Sequence, residues 1–279
     1  MDYGHPVRFG VFITPDAAQP ERALALAVLA DELGFNLVGV QDHPYQRRFL
    51  DTWTLIVAMA MRTKSIQVFP DVANLPLRPP AILAKAAASL DLLSGGRAEL
   101  GLGAGGFWEA IKAMGGPVRT PGESVAALDE AIQVIRLMWS GERGVRFEGK
   151  FYKLDGVNTG PKPVHPMGIW LGAYKPRMLS LVGRAADGWV PSLGLAQPPD
   201  LLEGNRRIDE AATAAGRDPR SIRRLLNAGA DVPAQAFASF TLEHGMDTYL
   251  IGGVDDPESL RWFASDVVPA VREAVAAAR

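Results

Sequence analysis

The chain has 279 residues, with 29 basic and 31 acidic side chains (formal net charge −2), 48% apolar and 22% charged residues. This composition is that of a globular protein and excludes a disordered chain. The near-neutral balance excludes a surface built to hold nucleic-acid phosphates, which needs a basic stripe. The chain has no cysteine, which removes disulfides, thiol nucleophiles, iron–sulfur clusters and thiolate zinc sites together. Its four histidines, His5, His43, His165 and His244, are too far apart to make a helical or strand metal pair. No apolar run reaches the ~18 to 20 residues of a membrane span. The first residues, Met1 to Pro6, lack the basic and apolar stretches of a signal peptide. The expectation is a soluble cytoplasmic enzyme with a small-molecule substrate, and with no metal, nucleic acid or membrane as partner.

Short β-rich runs then alternate with longer helical ones. Residues 8–14 read as a first strand, and Pro20-Glu21 opens a helix that runs to Leu33 and stops at Gly34. Residues 37–41 make a second strand, 52–61 a mostly buried helix, 66–73 a third strand, 80–93 a third helix and 98–103 a fourth strand. Ser94-Gly95-Gly96-Arg97 reads as a tight turn into that strand. Residues 124–139 carry Val125, Leu128, Ile132, Ile135 and Trp139 on one helical face. A hairpin over 145–154, turning at Glu148-Gly149, precedes a stretch over 157–168 held extended by Pro161, Pro163 and Pro166. Together they form an insertion between helix four and strand five. Strands at 169–172, 188–191, 223–228 and 248–252 alternate with helices at 176–186, 201–215, 233–244 and 257–278.

Repeated β–α alternation means parallel pairing with right-handed crossovers, in an open doubly wound sheet or a closed barrel. Eight units in this length, with no linker, favour a single (β/α)8 TIM barrel over residues 1–279, interrupted by the one insertion.

In such a barrel the chemistry lies at the C-terminal ends of the strands. The residues there are Thr14 and Pro15; Asp42, His43 and Pro44; Asp71 to Asn74, with Arg78 beyond; Gly103 to Glu109; Gly172 to Lys175; and Trp189 and Pro191. The set holds one histidine beside a carboxylate and little else that titrates. Asp42 with Glu109 could on paper make a glycosidase pair, but nothing in the sequence sets their separation. A site poor in acids and nucleophiles yet rich in glycine and aromatics suits a cofactor that brings its own reactivity. Gly101, Gly103 and Gly106 match G-x-G-x-x-G, but in the fourth unit, with Gly115-Gly116-Pro117 breaking the next helix and no acid-tipped strand at the dinucleotide spacing. These glycines are better read as letting a flat ring or a phosphate approach the backbone. Trp53, Trp139 and Trp262 sit in apolar helices as core residues. Trp108 and Trp189, at strand ends, are candidates to line a pocket.

Five segments carry a resemblance that runs nearly end to end: VQDHPY (40–45), NLPLRPPAILAKAAASLDLLSGGRAELGLGAG (74–105), PGESVAALDEAIQVIRLMW (121–139), GPKPVHPMGIWLGAY (160–174) and AADGWVP (185–191). On these the chain resembles the bacterial luciferase-like flavin- and deazaflavin-dependent oxidoreductases. The resemblance implies a ring bound in the barrel mouth, supported by a bulge with a non-proline cis peptide at Asp71-Val72. Asp42 and Asn74 would lie beside it, with Gly103, Gly105 and Gly106 nearby. The cofactor phosphate would be held by backbone N–H groups at Gly172, Ala173 and Tyr174, and Lys175 and Arg177 would attract the anionic tail. The implied cofactor is the deazaflavin F420, with FMN as the alternative. His43 would be the catalytic residue, passing a proton or orienting the substrate while hydride moves. A homodimer through helices two and three is implied as well.

The chain also departs from the pattern. Sugar-phosphate-oxidising relatives place a glutamate directly after the strand-four glycines, where this chain has Gly106, and a tryptophan shortly after the histidine, where it has Arg47. Glu109 is about a helical turn away, so that role does not carry over to it, the sequence leaves open whether Glu109 or Arg47 takes part in catalysis, and sugar phosphate is a doubtful substrate. Arg47, Arg48 and Arg78 near the mouth hint at an anionic group. Two other readings stand beside F420-dependent hydride transfer: an FMN-dependent monooxygenase fed by a separate flavin reductase, and a flavin-binding protein without catalysis.

Overall fold

The computed structural model describes residues 1–279. Its first half is β1 (Arg8–Ile13), α1 (Pro20–Glu32), β2 (Leu37–Val40), α2 (Thr52–Arg62), β3 (Gln67–Pro70), β4 (Ala73–Asn74), α3 (Pro80–Ser94) and β5 (Leu100–Gly103). A short α4 (Trp108–Ala113), α5 (Pro121–Trp139) and the antiparallel pair β6 (Val145–Glu148) and β7 (Lys153–Val157) follow. The second half is β8 (Ile169–Leu171), α6 (Pro176–Ala185), β9 (Gly188–Trp189), α7 (Pro198–Ala214), β10 (Arg223–Gly229), α8 (Ala234–Leu242), β11 (Thr248–Gly252), α9 (Pro257–Trp262) and α10 (Val268–Ala278).

The strands of the main sheet pair in parallel, in the order β3-β2-β1-β11-β10-β9-β8-β5-β4. The ring closes where Val68 pairs with Ala98: the Val68 N–H donates to Arg97 O at 2.8 Å and the Glu99 N–H to Val68 O at 3.1 Å. β3 and β4 are one strand interrupted at Asp71-Val72, a cis peptide, so the sheet is an eight-stranded barrel. The helices pack around it over a continuous apolar core, and a second cluster of Leu37, Phe69, Trp170, Val190, Leu225 and Leu250 fills its inside. The insertion lies between α5 and β8, as expected.

Four details correct the sequence reading. The third strand is broken at the bulge rather than continuous to residue 73. The helix expected from Ser124 begins at Pro121, because Thr120 and Glu123 form a reciprocal capping box one turn earlier. The hairpin turns through Gly149–Tyr152, not at Glu148-Gly149, because Glu130 on α5 accepts the N–H groups of Lys150, Phe151 and Tyr152. The last helix widens over Phe263–Val267, and Trp262, expected in the core, is 49% exposed.

The base of the barrel is tied by buried charge. Gly95 and Gly96, both at positive φ, turn the chain after α3. The Arg97 guanidinium then donates to Ala60 O (2.6 Å), Ile66 O (2.9 Å) and Thr63 Oγ1 (3.0 Å). The fully buried Asp91 accepts the Val164 N–H at 2.7 Å, and its Oδ1 lies 2.8 Å from His165 Nδ1. His165 Nε2 lies 3.5 Å from Glu99. Interaction with Glu99, with the added charge of Asp91 and against the opposing effect of burial, raises the His165 pKa above its ordinary value. A histidine raised on folding stabilises the fold fully below about pH 6.5, and that contribution is lost as pH rises through the folded value. His165→Asn therefore lowers the melting temperature most at acid pH, and the gap from the parent narrows as pH rises through neutrality. A gap independent of pH contradicts this.

Candidate active site at the mouth of the barrel

Strand side chains alternate in direction, so every second residue faces the lumen. The lowest inward layer is polar: Gln67 donates to Glu99 at 3.2 Å and bonds Arg8, and Arg223 donates to Thr248 at 3.0 Å. The next is the apolar layer of Leu37, Phe69, Trp170, Leu225 and Leu250. Above it the inward positions include Gly39, Gly101, Gly103, Gly172 and Gly252, with Asp71 and Asn227 among them. A Cβ at Gly101 would stand 2.1 Å from Pro70 O, and one at Gly103 2.8 Å from Val72 Cγ2. These glycines thus admit the bulge. Gly105, at φ +93°, lies against Pro76, whereas Gly106 faces open space.

The bulge is fixed from below by Asp42. Its side chain is 1% exposed. The carboxylate accepts a bidentate pair from Arg78 (2.7 Å to each oxygen) and the Asn74 N–H at 2.9 Å. Arg78 also donates to Asp51 at 2.6 Å, and Asp51 caps α2 through the Thr54 N–H. One ion cluster therefore joins the loop after β2, the start of α2 and the segment after the bulge. Arg78, expected to attract an anion at the mouth, is already neutralised by two carboxylates. Arg48 pairs with Asp16, and Arg47 is exposed without an ion-pair partner.

The next residue, His43, is held at the rim. Its Nδ1 lies 2.7 Å from the Tyr45 hydroxyl, and the rings of Tyr45, Phe107 and Phe49 lie 5.5, 5.8 and 6.5 Å from the imidazole. Burial lowers the His43 pKa, with the Asp42 charge opposing it, so the ring is neutral at neutral pH. Phe107, 63% exposed, stands over the pair. Glu109 is exposed on α4 and makes no ion pair.

Three buried acceptor atoms lack partners: Asp71 Oδ2 and Asn74 Oδ1 on the neighbouring strand and, opposite it on β10, Asn227 Oδ1. Burial pushes the Asp71 carboxyl up to about 7, a rise that the Asn227 amide offsets only in part. Buried polar atoms are nearly always paired, so this trio marks a place shaped for hydrogen-bond donors. On the β8 side, Ala173 O accepts the Trp189 indole N–H at 2.8 Å, and the Tyr174 hydroxyl accepts the Ser192 N–H at 3.0 Å. Trp189 is therefore a buried prop behind Ala173, 1% exposed, and does not line a pocket. The N-cap of α6, Lys175, makes no capping bond, which leaves the first N–H groups of the helix open to an anion beside Gly172. Lys175 and Arg177 are exposed there.

The structure thus gathers Asp42, His43, Asp71, Val72, Asn74 and the β5 glycines around one end of the lumen, with Gly172, Ala173 and Tyr174 on the same rim. Sequence reasoning missed Tyr45 and Asn227 as site residues and gave Phe107, one of its strand-end residues, no role. Asn227 was detectable as a polar residue two positions beyond the inward Leu225.

Comparison with known proteins agrees with this architecture. A family model described as luciferase-like monooxygenase matches residues 1–236. The F420-dependent glucose-6-phosphate dehydrogenase of Kineococcus radiotolerans is 32% identical over 251 residues, 84% of this chain and 72% of its own length. The 5,10-methylenetetrahydromethanopterin reductase of Archaeoglobus fulgidus is 27% identical over 271 residues, covering 96% and 78%. Among solved structures, an F420-dependent secondary alcohol dehydrogenase in complex with an F420-acetone adduct superposes with a TM-score of 0.85 at 20% identity, over 96% of this chain and 99% of that one. A monooxygenase from Streptomyces bottropensis gives 0.77 at 21% identity, over 94% and 99%.

The ion cluster makes a direct prediction. Arg78→Ala leaves the Asp42 carboxylate buried without its counter-charge and destabilises the fold by about 3–5 kcal/mol, read from urea unfolding. A loss below about 1 kcal/mol, the value of an exposed pair, contradicts this role.

Proposed function

We propose that this chain, which belongs to the luciferase-like monooxygenase family, is an F420-dependent oxidoreductase that moves hydride between the coenzyme and a small organic substrate at the barrel mouth. The observation that carries the reading is the trio of unpaired buried acceptors, Asp71 Oδ2, Asn74 Oδ1 and Asn227 Oδ1. A planar ring with N–H groups on its edge would satisfy them. When bound, the deazaflavin supplies the hydride.

The chain's residues do the rest. Asp71, with its carboxyl near neutrality, can donate or accept at that edge. The open N-terminus of α6, with Gly172, Ala173 and Tyr174, would hold the coenzyme phosphate, and Lys175 and Arg177 its anionic tail. His43, neutral and at the rim, would hold or take a proton at the substrate. Phe107 and Tyr45 give that space an apolar wall. Gly106 and Arg47 stand where sugar-phosphate oxidation would call for a glutamate and a tryptophan, so the substrate is an organic molecule other than a sugar phosphate. FMN-dependent monooxygenation with a separate reductase is the second reading, favoured by the shared fold of the Streptomyces bottropensis monooxygenase. The relatives of about 30% identity that are named for a coenzyme are named for F420, which ranks it second. A cytoplasmic site of action belongs to the same proposal, since a cysteine-free chain has no disulfide for an oxidising compartment to maintain.

A homodimer through α2 and α3 is part of this proposal. Ile82 and Leu93 lie eleven residues apart on one stripe of α3, 69% and 64% exposed, and Met61 on α2 is 51% exposed. Apolar residues massed on one surface mark contact sites.

Two measurements check these statements. His43→Asn keeps F420 affinity within a few-fold but lowers turnover roughly 10²–10⁴-fold, the range of general acid–base catalysis. Unchanged turnover removes His43 from the mechanism. Sedimentation velocity gives a dimer for the parent and a monomer for Ile82→Glu/Leu93→Glu. A parent that sediments as a monomer ends the dimer proposal.

A further inference from the structure

We infer that Tyr45 is a positioning residue that holds His43 as the Nε2–H tautomer, so that the imidazole meets the substrate as a hydrogen-bond donor. This rests on the reading of His43 as the catalytic residue and adds the direction in which it works.

The geometry leaves His43 one protein partner. Nδ1 lies 2.7 Å from the Tyr45 hydroxyl. The neighbouring carboxylate, Asp42, is engaged by Arg78 and by the Asn74 N–H and makes no bond to the ring. Tyr45, Phe49 and Phe107 surround the imidazole with aromatic surface. No other charged group faces it. Nε2, the nitrogen away from Tyr45, is free for substrate.

The chemistry of the pair decides which atom donates. A phenol is a good O–H donor, and its oxygen is a weak acceptor because its lone pairs are drawn into the ring. The unprotonated nitrogen of a neutral imidazole is a strong acceptor. The Tyr45 O–H therefore donates to Nδ1, and the imidazole proton resides on Nε2. Tyr45 orients and does not transfer: burial pushes its hydroxyl up to about 12, so it keeps its proton.

An Nε2–H donor at the rim suits a substrate carrying an acceptor beside its electrophilic carbon, such as a ketone, an imine or an enone. It polarises that group as hydride from the reduced deazaflavin adds to the carbon, and the anion that forms takes the Nε2 proton, which solvent then replaces. The inference thus assigns the site a substrate whose oxidised form carries a hydrogen-bond acceptor on the carbon that takes the hydride.

The test needs neither coenzyme nor substrate, so it fails or succeeds separately from F420 binding. Chain labelled with ¹⁵N-histidine is examined by long-range ¹H–¹⁵N correlation above the titration of the ring, with His43→Asn identifying the His43 signals. The parent is expected to show the Nε2–H pattern at His43, and Tyr45→Phe to show both tautomers in exchange. An Nδ1–H pattern in the parent overturns the inference, even if Tyr45→Phe fails to fold. An unchanged pattern in a folded Tyr45→Phe overturns it as well.

Discussion

A carboxylate sealed inside a barrel wall must find its counter-charge within the protein, and the site depends on how Asp42 does so. Its partners are Arg78 and the Asn74 N–H, both beyond the bulge in the neighbouring strand. The loop after β2 and the segment after β3 are thereby held in one relative position. His43, next in the chain, inherits that position at the rim, and Asp71 and Asn74 inherit theirs on the floor. Asp51 extends the same cluster to the first turn of α2. An ion pair this buried contributes little net stability against an apolar alternative, and its value here lies in fixing register between two loops.

The lumen is layered from charge, through an apolar plug, to a nearly bare upper tier. The lower polar layer can be ionic because its members pair with one another. The upper tier is different: Asp71, Asn74 and Asn227 hold acceptors that nothing in the chain answers. Other buried atoms without partners, such as Trp53 Nε1 and Arg223 Nε, are donors or lie elsewhere, whereas these three acceptors all belong to lumen-facing positions near the strand ends. The rim repeats the theme, with backbone N–H groups at the start of α6 left open. Polar incompleteness, more than cavity shape, marks this end of the barrel as the working one.

Much of this was legible in the sequence. Short β-rich apolar runs alternating with longer helical stretches put nearly every element within a few residues of its place, and the barrel followed from counting eight β–α units. Boundaries failed where a distant side chain decides them: Glu130 moves the hairpin turn, and the bulge splits the third strand. The site was legible as a set of strand ends, but not as partners. Arg78 reads in sequence as a free cation, and only the fold shows two carboxylates upon it. Trp189 reads as a pocket aromatic, and only the fold turns its indole toward Ala173. Asn227 belongs to the site because β10 lies across the lumen from β3, a relation no local pattern encodes.

The acceptors of the upper tier await a ring that brings donors, and the proposed ring is a deazaflavin. The most direct test is an equilibrium fluorescence titration of the purified, cofactor-free chain with F420 and, separately, with FMN. The account predicts saturable binding of F420 at micromolar concentration or below, with FMN at least tenfold weaker. Tighter binding of FMN would contradict the F420 assignment and make the chain a flavin monooxygenase candidate. Binding of neither would contradict the reading of Asp71, Asn74 and Asn227 as a ring site.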